Sequence, residues 1–240
     1  MDLGVAGKVA LVTAASKGLG RASALALAAE GVRVLICARG EATLRETEAE
    51  LLSLGAEALG VVADVTDPTQ PARLVAATVE RFGSLDILVA NAGGPPPGRA
   101  LEVSDEQIAA AVNANLTTSI RLVREAVPWM RRAGWGRVCL ITSYCIKEPL
   151  PGLSLSNLAR TGLWGWAKTA SADLWPDGIT LNTACPGMHA TDRVLQLGTS
   201  PARMGDPADF GKVVAFLCSG PAAFVSGAAL SVDGAALHGL

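Results

Sequence analysis

"KVALVTAASKGLGRASALALAAEG", residues 8–31, changes its pattern once, near its middle. It opens on a brief apolar run, as a strand buried on both faces requires. It closes, from about 19 to 30, on a helix-like stretch. Between the two, "TAASKGLG" at residues 13–20 supplies the glycines of a tight strand-to-helix turn. Gly18 and Gly20 let the main chain pass close to a ligand, and the helix beginning there offers unpaired N–H groups and the positive end of its dipole. The ligand best suited to such a turn, after the first strand of an α/β chain, is the pyrophosphate of a dinucleotide.

Outward from this turn the same alternation recurs. "RVLICAR", "EALGVVAD", "LDILVANAG", "GRVCLITS", "GITLNTACPG" and "GAALSVDG" join "KVALVTA" as short apolar runs bounded by Gly, Pro, Asp or Asn. Helix-like stretches lie near 19–30, 41–54, 68–82, 104–132, 155–175 and 207–219. This is the signature of an α/β doubly wound fold, a parallel sheet of about seven strands with helices on both faces, here a single domain over 1–240. Ligands in such sheets sit beyond the carboxyl ends of the strands. The residues to watch are therefore Thr13–Gly20, Cys37–Gly40, Asp64 and Val65, Asn91–Gly94, Ser143 and Tyr144, and Pro186–Thr191.

Composition narrows the partners. Half of the 240 residues are hydrophobic and 18% are charged, which suits a sheet covered on both faces. A net charge of −2, with Lys and Arg scattered, forms no basic stripe for nucleic acid and no polybasic segment for a membrane, so a small molecule is the expected partner. The five cysteines form no C-x-x-C pair and mostly sit in apolar runs, as buried free thiols in a reducing compartment do. No metal site is expected. The first residues carry no basic cluster ahead of an apolar segment, and a cytoplasmic location is the expectation.

Taken together, the strand-end residues carry a family resemblance. Thr13, Gly18 and Gly20 match the loop T-G-x-x-x-G-x-G with Ala14 in place of its first glycine, and "DVTD" at 64–67, "ANAGG" at 90–94, "PGMHAT" at 186–191 and "VDGA" at 232–235 follow in order. In these motifs the chain resembles the short-chain dehydrogenase/reductase family over nearly its whole length, especially the 3-oxoacyl-acyl-carrier-protein reductase-like branch. The resemblance implies a Rossmann fold and hydride transfer between a nicotinamide and a carbonyl or secondary alcohol. It assigns Thr13, Ser16, Lys17, Gly18, Leu19, Gly20, Asp64, Val65, Asn91, Ala92, Gly93, Arg160, Pro186, Gly187 and Thr191 to the cofactor. Members preferring NAD usually end the second strand on an acid; here that end reads "ICARG", with Cys37 neutral and Arg39 basic. A guanidinium can fork onto a 2′-phosphate and Lys17 adds a second cation, so NADP(H) is expected over NAD(H).

One departure concerns the chemistry itself. The family moves protons with a Ser, a Y-x-x-x-K pair and an Asn on the preceding long helix. "CLITSY" supplies Ser143 and "VNANLTT" supplies Asn115, but the Tyr and Lys positions are held by Ser156 and Arg160. Tyr144, the chain's only tyrosine, stands beside Ser143. A serine hydroxyl is a far weaker acid than a tuned phenol, and a guanidinium stays charged. The proton could instead come from a water held by Ser143, Ser156 and Asn115, from His189, or from Tyr144. An NADP(H)-binding regulator with little or no turnover, and a non-redox lyase-type enzyme on the same fold, stand as alternatives to a reductase. Around the substrate, Pro95–Pro97 are expected as a stiff wall and residues 189–204 as a lid, whose Val194, Leu195 and Leu197 suit an apolar or acyl carbonyl compound. The helices at 104–132 and 155–175, with Gly162 and Gly165, lead to the expectation of a homodimer or homotetramer.

Overall fold

The computed structural model describes residues 1–195 and 204–239. Every expected apolar run is a strand: β1 (Val9–Val12), β2 (Arg33–Ala38), β3 (Ala58–Val62), β4 (Ile87–Ala90), β5 (Gly136–Ile141), β6 (Ile179–Pro186) and β7 (Ala229–Val232). They form one parallel sheet in the order β3-β2-β1-β4-β5-β6-β7. The winding reverses between β1 and β4, which opens a crevice beyond their carboxyl ends.

The helices are α1 (Gly18–Ala29), α2 (Glu41–Ser53), α3 (Gln70–Phe82), α4 (Asp105–Val112), α5 (Thr118–Ala133), α6 (Ser154–Leu174), α7 (Asp192–Leu195) and α8 (Pro207–Leu217). Two apolar layers explain why β1, β4, β5 and β6 are buried along their whole length. On one face Ala10 and Val12 pack with Leu27 of α1, Leu44 of α2 and Phe210 of α8. On the other, Val9 and Leu11 pack with Leu74 of α3, Leu122 of α5 and Leu163 of α6. Successive strand residues thus serve opposite layers, and each wholly buried Leu or Val contributes about 1.5–3 kcal/mol.

The single helix expected over 104–132 is instead α4 and α5 joined by a π-helical turn, Asn113–Thr117. Side chains on its two ends hold it. Thr118 Oγ1 lies 2.8 Å from the Asn113 carbonyl and 3.1 Å from that of Val65, while Asn113 Nδ2 donates to the Thr66 carbonyl at 3.0 Å. The turn is thereby pinned to the segment that follows β3. Of the expected lid, residues 196–203, with Leu197, lie outside the described residues; its first part pairs His189 with Gly205 and then forms α7. All five cysteines are buried and unpaired by disulfides. Among the described residues no helix is long and apolar enough to cross a membrane.

Candidate active site and cofactor trough

The glycine turn and β4 are clasped together at the crevice. Thr13 Oγ1 donates to the Asn91 carbonyl at 2.7 Å and accepts from the Asn91 N–H at 2.9 Å, and Asn91 Nδ2 reaches the Ala14 carbonyl at 3.2 Å. Thr13 is wholly buried, so its part is to hold Asn91 rather than to face a ligand. Ala14, where the family motif has glycine, takes φ of 48°, a left-handed conformation costing about 1–2 kcal/mol for an L-residue. Gly20 is demanded by contact: a Cβ there would lie 2.4 Å from the Ala14 carbonyl oxygen and 2.7 Å from Asn91 Nδ2. Lys17 precedes α1 without making a side-chain cap, which leaves the first N–H groups of a twelve-residue helix uncapped by it and suited to an anion. Ser16 opens on the neighbouring groove between α1 and α2.

Farther along lie the groups for the adenosine half. Cys37 does not face the trough as its strand-end position suggested: it is fully buried, and burial pushes its thiol up to about 12. The side chain that opens outward is Arg39, 79% exposed and 4.0 Å from Asp64 Oδ2. Asp64 accepts from the Thr66 N–H at 3.0 Å and hydroxyl at 2.8 Å, and those bonds, the backbone one first, hold its carboxyl below the usual range. Val65 is buried, with its carbonyl turned to Thr118. Lys17 Nζ stands 4.0 Å from Asp192 Oδ2. Both ion pairs are long and exposed, hence weak and readily exchanged for a phosphate. An uncapped helix start, a close main-chain approach at Gly20 and two loosely held cations fit a phosphorylated dinucleotide.

The trough continues into a cleft of about 420 Å³. Lys17, Gly18 and Leu19 of the glycine turn, Asn91, Ala92 and Gly93 after β4, and Pro186, Gly187 and Thr191 after β6 all border it. Ser143, Tyr144, Ser156 and Arg160 line its far side. Ser143 Oγ accepts from the Cys145 N–H at 3.3 Å, which leaves its own proton for another acceptor. Arg160 is buried, and its Nη1 donates to the carbonyls of Ile141 at 3.0 Å and Thr142 at 2.9 Å, bracing the end of β5. Ser156 Oγ lies 3.6 Å from the buried Cys145 Sγ. Asn115 sits behind the wall in the π turn, 2% exposed, and its Oδ1 has no hydrogen-bond partner among the described residues.

Two expectations about the loops change. His189 is not placed to give a proton to a substrate: it is 4% exposed, its Nδ1 lies 3.2 Å from the Gly187 carbonyl, and its ring packs edge-on against Phe210. Its work is to hold the loop, because Phe210 and Gly205 enclose the imidazole. Of the three prolines only Pro95 lines the cleft; Pro96 and Pro97 are exposed. That loop is stitched to the start of α6 by Gly98 N–H to the Gly152 carbonyl, 2.7 Å, and Ser154 Oγ to the Gly98 carbonyl, 2.8 Å. Leu150, Leu153, Met188 and Val194 complete an apolar wall, with Leu150 held at both backbone groups by the Asn157 amide. Sequence reasoning missed the π turn around Asn115, which no residue preference marks. Tyr144, offered from the sequence as one possible proton source, lines the cleft beside Ser143.

Comparison with known proteins gives a consistent picture. A family model described as short chain dehydrogenase matches residues 8–201. The chain is 34% identical over 236 residues to a 3-oxoacyl-[acyl-carrier-protein] reductase of Synechocystis, covering 95% of this chain and 96% of that protein. Among solved structures it is similar to a variant of actinorhodin polyketide ketoreductase with NADPH, at a TM-score of 0.90 and 35% identity, covering 95% of this chain and 96% of that one. It is also similar to L-sorbose reductase from Gluconobacter frateurii complexed with NADPH and L-sorbose, at a TM-score of 0.94 and 30% identity over the full length of both.

Proposed function

Because this chain belongs to the short chain dehydrogenase family, we propose that it is an NADP(H)-dependent oxidoreductase acting on a carbonyl compound or secondary alcohol, with 3-oxoacyl thioesters as the favoured substrate class. The carrying observation is that the glycine turn and the Ser143, Ser156 and Arg160 side chains border one continuous cleft. NADPH, when bound, supplies the hydride. Lys17 and Arg39 are assigned to its 2′-phosphate, with the α1 start and Gly18–Gly20 at the pyrophosphate. Arg160 is assigned to the nicotinamide ribose, from the strand-end position where its Nη1 grips Ile141 and Thr142. Ser143 is assigned a hydrogen bond from its hydroxyl to the substrate oxygen, which orients it. The apolar wall of Pro95, Leu150, Leu153 and Met188 favours an acyl chain.

A second reading has a specific observation behind it. Ser156 contacts a thiol and Arg160 cannot relay a proton, which also suits a protein that binds NADP(H) without turning substrate over. Fluorescence titration with NADPH and NADH, followed by NADPH oxidation assays on acetoacetyl-N-acetylcysteamine and cyclic ketones, separates the two. Tight NADPH binding with turnover is the expected result. Binding with no substrate-dependent oxidation above background favours the regulator, and no binding overturns both.

A further inference from the structure

We propose that Tyr144 is the residue that hydrogen-bonds the substrate's carbonyl oxygen and supplies its proton, taking at a different point of the cleft the part that Ser156 cannot fill. The inference rests on the reductase reading above and adds the identity of the acid.

Tyr144 opens a single 3-10 turn that directly follows Ser143, so the two neighbours at the end of β5 face the same cleft. Its side chain is partly buried on the cleft wall, and among the described residues its hydroxyl makes no hydrogen bond. A partly buried phenol usually finds a partner, and one without a protein acceptor is available to a ligand. The competing donors are poorer. Ser156 is a short hydroxyl whose near neighbour is Cys145 Sγ at 3.6 Å, His189 is enclosed by its loop, and Asn115 lies behind the wall.

The surroundings of Tyr144 decide which half of acid–base chemistry it can perform. Cys145 adjoins it, Glu148 follows four residues on, Asp233 follows β7, and Ser156 and Arg160 of α6 line the same cleft. Burial first, and then Cys145, Asp233 and Glu148, raise the phenol above its ordinary value near 10. Tyr144 therefore stays protonated at neutral pH and acts as a donor, not as a base. During reduction the carbonyl carbon gains the hydride and the C=O π pair moves onto oxygen. The Tyr144 O–H bond breaks as the new alcohol O–H forms, and the phenolate then takes a proton from water entering the open cleft.

Tyr144→Phe keeps the ring and removes only the hydroxyl. With NADPH and acetoacetyl-N-acetylcysteamine, kcat is expected to fall by about 100-fold or more, the worth of a general acid, while NADPH affinity and melting temperature stay unchanged. An equilibrium readout needs no turnover. The thioester labelled with carbon-13 at its ketone is bound to the NADP+ complex, and its carbonyl infrared band is recorded. In the parent protein the band is expected at lower frequency than in Tyr144→Phe, because the phenol withdraws density from the carbonyl. An unchanged kcat, or the same band position in both proteins, overturns the assignment. If the parent binds NADPH but reduces no substrate, the reductase reading fails, and the band position alone decides whether Tyr144 touches the carbonyl.

Discussion

Residue 156 lines the cleft as a serine, whose hydroxyl is shorter and far less acidic than the phenol of the family pattern. If the family mechanism has simply been lost and Tyr144 supplies no proton, restoring the pair with Ser156→Tyr and Arg160→Lys together is expected to raise carbonyl reduction by about 100- to 10,000-fold, and either change alone to do little, because the phenol and the cation act as a unit; with Tyr144 as the acid the double variant gains little. Initial rates of the four proteins with NADPH check this. No gain in the double variant with intact cofactor affinity excludes a simple loss of the family mechanism. At the other end of the trough, Arg39→Asp removes the proposed 2′-phosphate partner and adds a ribose acceptor. It is expected to reverse an NADPH-over-NADH preference, read by fluorescence titration. Equal affinities in the parent would sink that idea. Tyr144 gives a pH signature with a definite sign. Alcohol oxidation needs the phenolate, whose pKa is raised, so the oxidation rate should climb with pH into the range above 10, while reduction near neutrality uses the protonated form throughout. Glu148→Gln removes one source of the rise and should move the oxidation limb to lower pH; an unmoved limb counts against Tyr144. Ser143, Ser156 and Arg160 were legible in sequence because their spacing survives even where their identities change. The burial of His189 was not, because it depends on Phe210, which lies well beyond it in the chain.

Elements that bury both faces announce themselves, and those held by side chains do not. Each strand was visible as an apolar run because it needs apolar residues at every position. The π turn between α4 and α5 was invisible because Asn113 and Thr118 are ordinary helix residues until Val65 and Thr66 come within reach. Thr118→Val keeps the shape and removes the hydroxyl that joins the turn to the segment after β3. It is expected to cost about 1 kcal/mol, seen as a lower melting temperature, and to reduce turnover more than NADPH affinity, because Asn115 loses its setting behind the cleft. If melting temperature falls while kcat is unaffected, the turn is structural only. Ala14 shows the reverse relation. The sequence marked it as a departure from glycine, and the left-handed backbone shows the departure is tolerated rather than accommodated by a new turn.

At the scale of the whole molecule, the fold class and the parallel sheet of about seven strands followed from alternation and right-handed crossovers, whereas the order of the strands came only with the structure. Gly162, read as a point of approach for a partner helix, is exposed, and it is also needed within the chain, since a Cβ there would lie 2.6 Å from Leu116 Cδ1. Gly165, one turn on, is exposed with no atom near its missing Cβ, and it keeps the proposal of a homodimer or homotetramer through α5 and α6. Light scattering at micromolar concentration should give a dimer or larger, and Gly165→Arg should give a smaller species; a monomeric parent refutes the pairing. The reversal between β1 and β4 also bears on time. Ala10 and Ile87 pair across the whole of β2, α2, β3 and α3, and closing so long a loop is expected to make this seam a slow step of folding. Thr13 and Asn91 fasten the same seam, so a dinucleotide laid across it recognises only the closed form. At a hundredfold excess over its dissociation constant such a ligand adds about 2.7 kcal/mol to the closed state. The crevice that admits the cofactor is thus also the joint by which the cofactor prolongs the life of the folded chain.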